Sequence, residues 1–258
     1  LQYYDSSYNS LMGSVTNYGQ TESSRGTESE FSLYTVPVLG GPYYLRVTNN
    51  APSAQDYHIY YNKGITGGYY VAFNSPDPFY TVASPADADY AMAVGSWTTR
   101  ASWTDYQNNG PWNFVPSESA GTMSSFSSRG PRVDESDKPA ITAPGSALIS
   151  ARDDDVYPWP DASYDARVIE NDGVAAFTGS AEYFVMQGTS MACPHAAGAA
   201  ALLLEACPCL KGDPASLRSL LESTASGYPS HDDTSGYGLL DIEAAVAACP
   251  CVTPTPTA

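Results

Sequence analysis

Long hydrophobic runs are missing from this sequence. The longest, from Ala196 to Leu204, is too short to span a bilayer. Basic residues are also few: 11 Lys and Arg stand against 28 Asp and Glu, for a formal net charge of −17. Binding a phosphate backbone needs clustered cations, so this balance argues against a nucleic-acid partner and fits a soluble secreted protein. There are only three histidines, His58, His195 and His231, and none is followed by Gly. No internal repeat is found. The chain opens at Leu1, with neither Met nor a basic-then-apolar leader, and closes on "CVTPTPTA", an extended Thr-Pro linker over 252–258. Both ends read as cuts from a longer polypeptide.

The chain has 258 residues, 43% of them hydrophobic, enough for one large domain or a medium and a small one. Residues 1–66 carry β signals. "LQYYD", "FSLYTVPV", "GPYYLRVT" and "YHIYYN" are Tyr- and Val-rich, with turn chemistry between them. They read as a small all-β sandwich, incomplete because Leu1 already stands in a strand pattern. The texture then changes, and 67–251 read as a second unit. A buried strand is expected at Ala91–Val94, and two short strands within "GTMSSFSSRGPRVDESDKPAITAPGSALISA". A long helix follows Ser190. "DPASLRSLLESTA" is helical, with Asp213 as N-cap and Pro214 at the first helical position. "GLLDIEAAVAA" repeats apolar residues at helical spacing. Strands followed by helices imply an α/β class.

The chemistry concentrates in "FVMQGTSMACPHAAGAAALLLEA", residues 184–206. Gly188 permits a tight turn, and Ser190 falls at a helix start, where unpaired N–H groups and the helix dipole favour negative charge. Such a serine suits acyl transfer, with an oxyanion held by backbone N–H groups. The bland alternative is an N-cap serine. The apolar face is expected at Ala196, Ala197, Ala200, Leu203 and Leu204. His195 is unsuited as the base: five residues along a helix place it about 140° around the axis. It reads as a structural, hydrogen-bonded histidine, and Cys193 as a buried free thiol.

The segment "GTSMACPHAAGAAALLLEA" resembles the nucleophile segment of the subtilases, the subtilisin-like serine proteases. "TVASPADADYAMAVGSW", "SSFSSRGP" with "DKPAITAPG", and "SGYGLLDIEAAVAA" resemble further family segments in the right order, over roughly 79–248. The resemblance implies the C-terminal part of a subtilisin-like parallel-sheet domain, Ser190 as nucleophile, and polypeptide substrates. More loosely, the β-rich segment resembles the sandwich that some bacterial subtilases insert into that domain. Family members place the partner Asp, the partner His and an oxyanion Asn before the serine; no segment here matches those motifs. Asn74 lacks the preceding Gly, and "DDTSG" follows the serine. The missing N-terminal half of the catalytic domain is therefore an expected partner, and the isolated chain is expected to be inactive. The alternative is a non-catalytic surface or adhesion protein that keeps the fold. An α/β-hydrolase is disfavoured, because Ala192 stands where its elbow needs a second Gly.

Four of the five cysteines form two Cys-Pro-Cys units, Cys207 with Cys209 and Cys249 with Cys251, each at a helix end. In a secreted protein they read as two disulfides between the units, with a four-Cys zinc site as the rival. "ARDDDVYPWPDASYDARVIENDG" reads as a solvated acidic loop. Its carboxylates suit a structural calcium ion, though their spacing fits no fixed ligand pattern. The chemistry itself needs no cofactor.

Overall fold

The computed structural model describes residues 2–4, 7, 15–22, 28–34, 42–48, 52–54, 56–60, 72–153, 165–169 and 181–251. It contains two compact units, Leu1–Ala72 and Phe73–Ala258. Most of the acidic loop and the whole Thr-Pro tract lie outside the described residues, so the calcium expectation falls there.

The first unit is antiparallel where described. β1 (Gln2–Tyr4) pairs with β4 (Tyr44–Arg46), and β2 (Val15–Glu22) with β3 (Glu28–Tyr34), with an irregularity between Asn17 and Gln20. Tyr57–Tyr60, the described part of "YHIYY", form no strand. Tyr57, Ile59 and Tyr60 are all exposed, so the alternation covers no face there. Alternation marks a strand only where a partner and a covered face exist.

The second unit is α/β. β5 (Val94–Thr98) lies between β6 (Thr122–Met123), antiparallel to it, and β7 (Ile141–Ser146), parallel to it. Residues 237–240 extend the sheet beyond β7. Tyr237 N–H donates to the Ala140 carbonyl (2.9 Å) and Leu240 N–H to the Thr142 carbonyl (2.8 Å). A second, antiparallel sheet has β10 (Tyr183–Met186) between β8 (Leu148–Ala151) and β9 (Val168–Ile169).

The strand expected at Ala91–Val94 in fact begins at Val94. The buried hydroxyls of Ser96 and Thr98 hid it. Ser124 Oγ lies 2.8 Å from Ser96 Oγ and 2.9 Å from Thr98 Oγ1, while Ser127 Oγ accepts from Ser96 N–H at 3.0 Å. Paired in this way, polar side chains enter a core at little cost. Before β5, the ammonium of Lys138 closes the loop, donating to the carbonyls of Ala88 (2.9 Å) and Ala91 (2.7 Å).

α1 (Thr189–Ala206) crosses β5 and β7. Its buried positions are Ala192, Ala196, Ala199 and Leu203, with Ala200 and Leu204 partly covered. Ala197, expected inside, is exposed. The true stripe follows the i, i+3/i+4 rows through Ala192 and Ala199. Ala196 packs with Ile141 and Ala225, while Leu203 packs with Leu210, Leu221 and Ala245. α2 (Pro214–Ser223) starts as its sequence indicates: the Asp213 carboxylate accepts from Ser216 N–H at 3.0 Å. α3 (Ile242–Ala247) is capped likewise by Asp241, which accepts from Ala244 N–H at 2.8 Å.

The two Cys-Pro-Cys units are joined to each other, Cys207 to Cys249 and Cys209 to Cys251, each across 42 residues. The sulfurs of Cys207, Cys249 and Cys251 lie within 4.8 Å of one another, but all are bonded in disulfides and none remains as a thiolate for zinc. These bridges tie the C-terminal end of α1 to the end of α3.

Candidate active site

β10 leads through Gln187 and Gly188 directly into α1. Gly188 has φ 149°, a conformation that L side chains rarely adopt, and it is the N-cap. Thr189 is therefore the first helical residue and Ser190 the second. Ser190 makes no capping bond, so the N-cap alternative falls away. The helix begins at the glycine because only a glycine turns there without strain.

The turn is fixed from below. Gly188 N–H donates to the Gly145 carbonyl, near the carboxyl end of β7, at 2.8 Å, and Met191 N–H donates back to the Gly188 carbonyl at 2.9 Å. Gly145 must lack a side chain: a Cβ there would collide with Ser96 Oγ and lie 2.9 Å from the Gly188 carbonyl. The carboxyl ends of parallel strands are where open α/β sheets present their sites.

Ser190 is exposed, and its own N–H and that of Thr189 have no acceptor among the described residues. At the first and second helical positions no intrahelical carbonyl can reach them. A hydroxyl beside two unpaired amides at the positive end of an 18-residue helix lies where negative charge is favoured.

Among the described residues, no histidine hydrogen-bonds to Ser190. His195 Nδ1–H donates to the Met191 carbonyl of its own helix at 2.8 Å, and the ring is exposed. It is hydrogen-bonded as expected, but to the preceding turn. His231 Nε2–H donates to the Pro139 carbonyl at 2.9 Å, with Asp137 at 3.9 Å from the other nitrogen. Pro139 precedes β7 and Gly145 lies near its far end, so this pair stands on the order of 20 Å from the Gly188 tether. His58 belongs to the first unit and stacks on Tyr60. Cys193, expected to be buried, is exposed, because α1 turns that position away from the sheet. Sequence reasoning missed the tether through Gly145 and the hydroxyl cluster beneath it. The signal available was a run of serines and threonines, "VGSWT" and "SSFSS", at strand spacing beside a glycine.

The model of the subtilase family matches residues 62–238. The serine protease AprX of Bacillus subtilis is 33% identical over 176 residues, covering 68% of this chain and 34% of the relative. The halolysin-like extracellular serine protease Nep of Natrialba magadii is 36% identical over 129 residues, covering 50% and 18% respectively. Among solved structures, fervidolysin from Fervidobacterium pennivorans aligns with a TM-score of 0.41 and 27% identity, covering 66% of this chain and 21% of that one. The matched region is thus about a third or less of each of these proteins.

Proposed function

The chain belongs to the subtilase family of serine proteases, and from that premise we propose that it is the nucleophile-bearing part of a secreted endopeptidase, with Ser190 attacking the peptide carbonyl. One observation carries this reading: Ser190 is exposed at the start of α1 beside two unpaired amides, on a turn held by the Gly188–Gly145 bond. In the reaction, Ser190 Oγ bonds to the carbonyl carbon. Its proton passes to a base and then to the leaving amine, while the N–H of Ser190 supports the oxyanion.

The base and the carboxylate that orients it come from a preceding half-domain outside this chain. No described histidine hydrogen-bonds to Ser190: His195 is bonded to the Met191 carbonyl of its own helix and His231 to the Pro139 carbonyl. α1 supports the same view. Glu205 is its only charged residue, yet Ala197, Gly198, Ala201 and Leu202 face solvent, Leu202 at 55%. An exposed apolar face of this kind fits coverage by further protein. The β-rich first unit is then the inserted sandwich, and polypeptides are the substrates. Disulfides fit an extracellular location, which the name of the Natrialba relative states for that protein. Calcium, if bound, is structural.

The test is labelling with a fluorophosphonate. The full-length protein should react at Ser190, and the 258-residue chain alone should not. Labelling of the chain with turnover would show that a base resides here. No labelling of the folded full-length protein would favour a surface protein that keeps only the fold.

A further inference from the structure

A cavity of about 390 Å³ opens beside the nucleophile turn, lined by Trp103, Trp112, Phe114, Val115, Arg167 and Gln187 among others. Most of this wall comes from the long connection between β5 and β6. Trp103 and Trp112 face each other across a short antiparallel ladder, with N–H to carbonyl distances of 3.0 and 2.8 Å. Both indole N–H groups are engaged, Trp103 with the Ala166 carbonyl (2.6 Å) and Trp112 with Asp105 Oδ2 (2.9 Å). The tryptophans therefore offer the cavity ring surface and no free donor. Phe114 packs on Trp103 at 4.8 Å between centroids, and the Arg167 guanidinium stands 5.1 Å over the Phe114 ring.

Gln187 lies three residues before Ser190, and its side-chain Oε1 is buried with no hydrogen-bond partner. A buried carbonyl without a donor is costly and calls for an explanation. Aromatic walls, one unmatched acceptor and a cation already placed over a ring define a narrow class of occupant: an aromatic group carrying its own hydrogen-bond donor. The volume falls within the range of small-molecule pockets.

We propose that this cavity is a subsite for a tyrosine or tryptophan side chain of a polypeptide, the ring lying against Trp103, Trp112 and Phe114 and its O–H or N–H donated to Gln187 Oε1. Treating the occupant as part of a substrate rests on the protease reading above, whereas the pocket chemistry does not. Phenylalanine fits the walls but leaves the acceptor unpaired, and alanine reaches neither.

The test uses the whole 258-residue chain and four probes, the N-acetyl amides of tyrosine, tryptophan, phenylalanine and alanine, followed by NMR of the Trp103 and Trp112 indole N–H signals. The tyrosine and tryptophan amides should bind roughly tenfold more tightly than the phenylalanine amide, the scale of one hydrogen bond, and the alanine amide should shift nothing. Gln187→Met should erase that preference while phenylalanine binding persists. Val115→Asp, at a site 91% exposed and so safe for folding, should weaken all three aromatic probes. Equal binding of tyrosine and phenylalanine amides, a preference that survives Gln187→Met, or absence of any indole shift would overturn the proposal. Ser190→Ala should leave probe binding unchanged. A nucleophile assignment that fails while the probes still bind, or the reverse, is thus separately readable.

Discussion

Gly188 and Gly145 are bonded backbone to backbone, N–H to carbonyl at 2.8 Å, and this contact seats the start of α1 on the end of β7. No side chain fits between them, since a Cβ on Gly145 meets Ser96 Oγ and the Gly188 carbonyl. Gly145→Ala should therefore force the turn off the strand. The expected cost is about 1–3 kcal/mol, the usual penalty for overpacking, read as a lowered midpoint in denaturant melts. An unchanged midpoint would mean that the strand end yields easily and that the seat is not rigid.

The two disulfides should contribute through chain entropy. A bridge across 42 residues is worth about 4 kcal/mol in that model. Because either bridge alone still closes that loop, replacing Cys207, Cys209, Cys249 and Cys251 together by Ser should lower stability by that order, and non-reducing peptide mapping should show the segments around Cys207–Cys209 and Cys249–Cys251 linked. Four free thiols or bound zinc in secreted protein would contradict the pairing.

Acid should weaken the second unit through Asp134. Arg132, 8% exposed, donates two hydrogen bonds to this carboxylate, one of 2.6 Å from Nε, and holds its pKa well below the usual carboxylate range, against the opposing effect of burial. Because the folded pKa is depressed, the stabilisation is full above the unfolded value near 3.8 and is lost as pH falls below it. Ser216 lowers Asp213 in the same direction. Thermal melts from neutral pH downward should fall most steeply from the carboxylate range down. Arg132→Met should cost on the order of 2 kcal/mol at neutral pH and flatten that fall. An identical acid slope in the variant would remove Asp134 from the account.

Lys138 works with the opposite sign. Burial pushes its ammonium pKa below 10.5, chiefly by desolvation and further by the charges of Arg218 and Arg132. The unfolded chain then holds the proton to higher pH, so this residue's contribution to stability rises with pH up to 10.5. Lys138→Met removes the donor to the Ala88 and Ala91 carbonyls. It should cost about 1–3 kcal/mol for stranding them and abolish that rise. A variant melt that kept the rise would assign it to another group.

Legibility in the sequence followed the local physics. Asp213 with Pro214 announced α2, because a cap and its first turn are neighbours in the chain. The Gly-Thr-Ser turn announced a helix start, and the paired Cys-Pro-Cys units announced the bridges. What stayed hidden depended on partners far along the chain. β5 begins at Val94 rather than Ala91 because Ser124 and Ser127 pair with its polar side chains. Ala197 and Ala199 are indistinguishable by composition, and only the position of the sheet decides that Ala199 is buried. The seat at Gly145 joins residues more than forty positions apart through backbone atoms, and backbone pairing leaves no residue-type signature.

The assignment of Ser190 is tested most directly by turnover per folded molecule of the full-length protein carrying Ser190→Ala or His195→Gln, with the folded fraction taken from thermal melts. Ser190→Ala removes the covalent route and should cost several orders of magnitude. His195→Gln removes a bond to the Met191 carbonyl on an exposed helix face, so it should cost at most about 1–2 kcal/mol of stability and leave most of the turnover. Near-wild-type turnover in Ser190→Ala would contradict the account. So would a folded His195→Gln enzyme as inactive as Ser190→Ala, because that would make the histidine a catalytic partner.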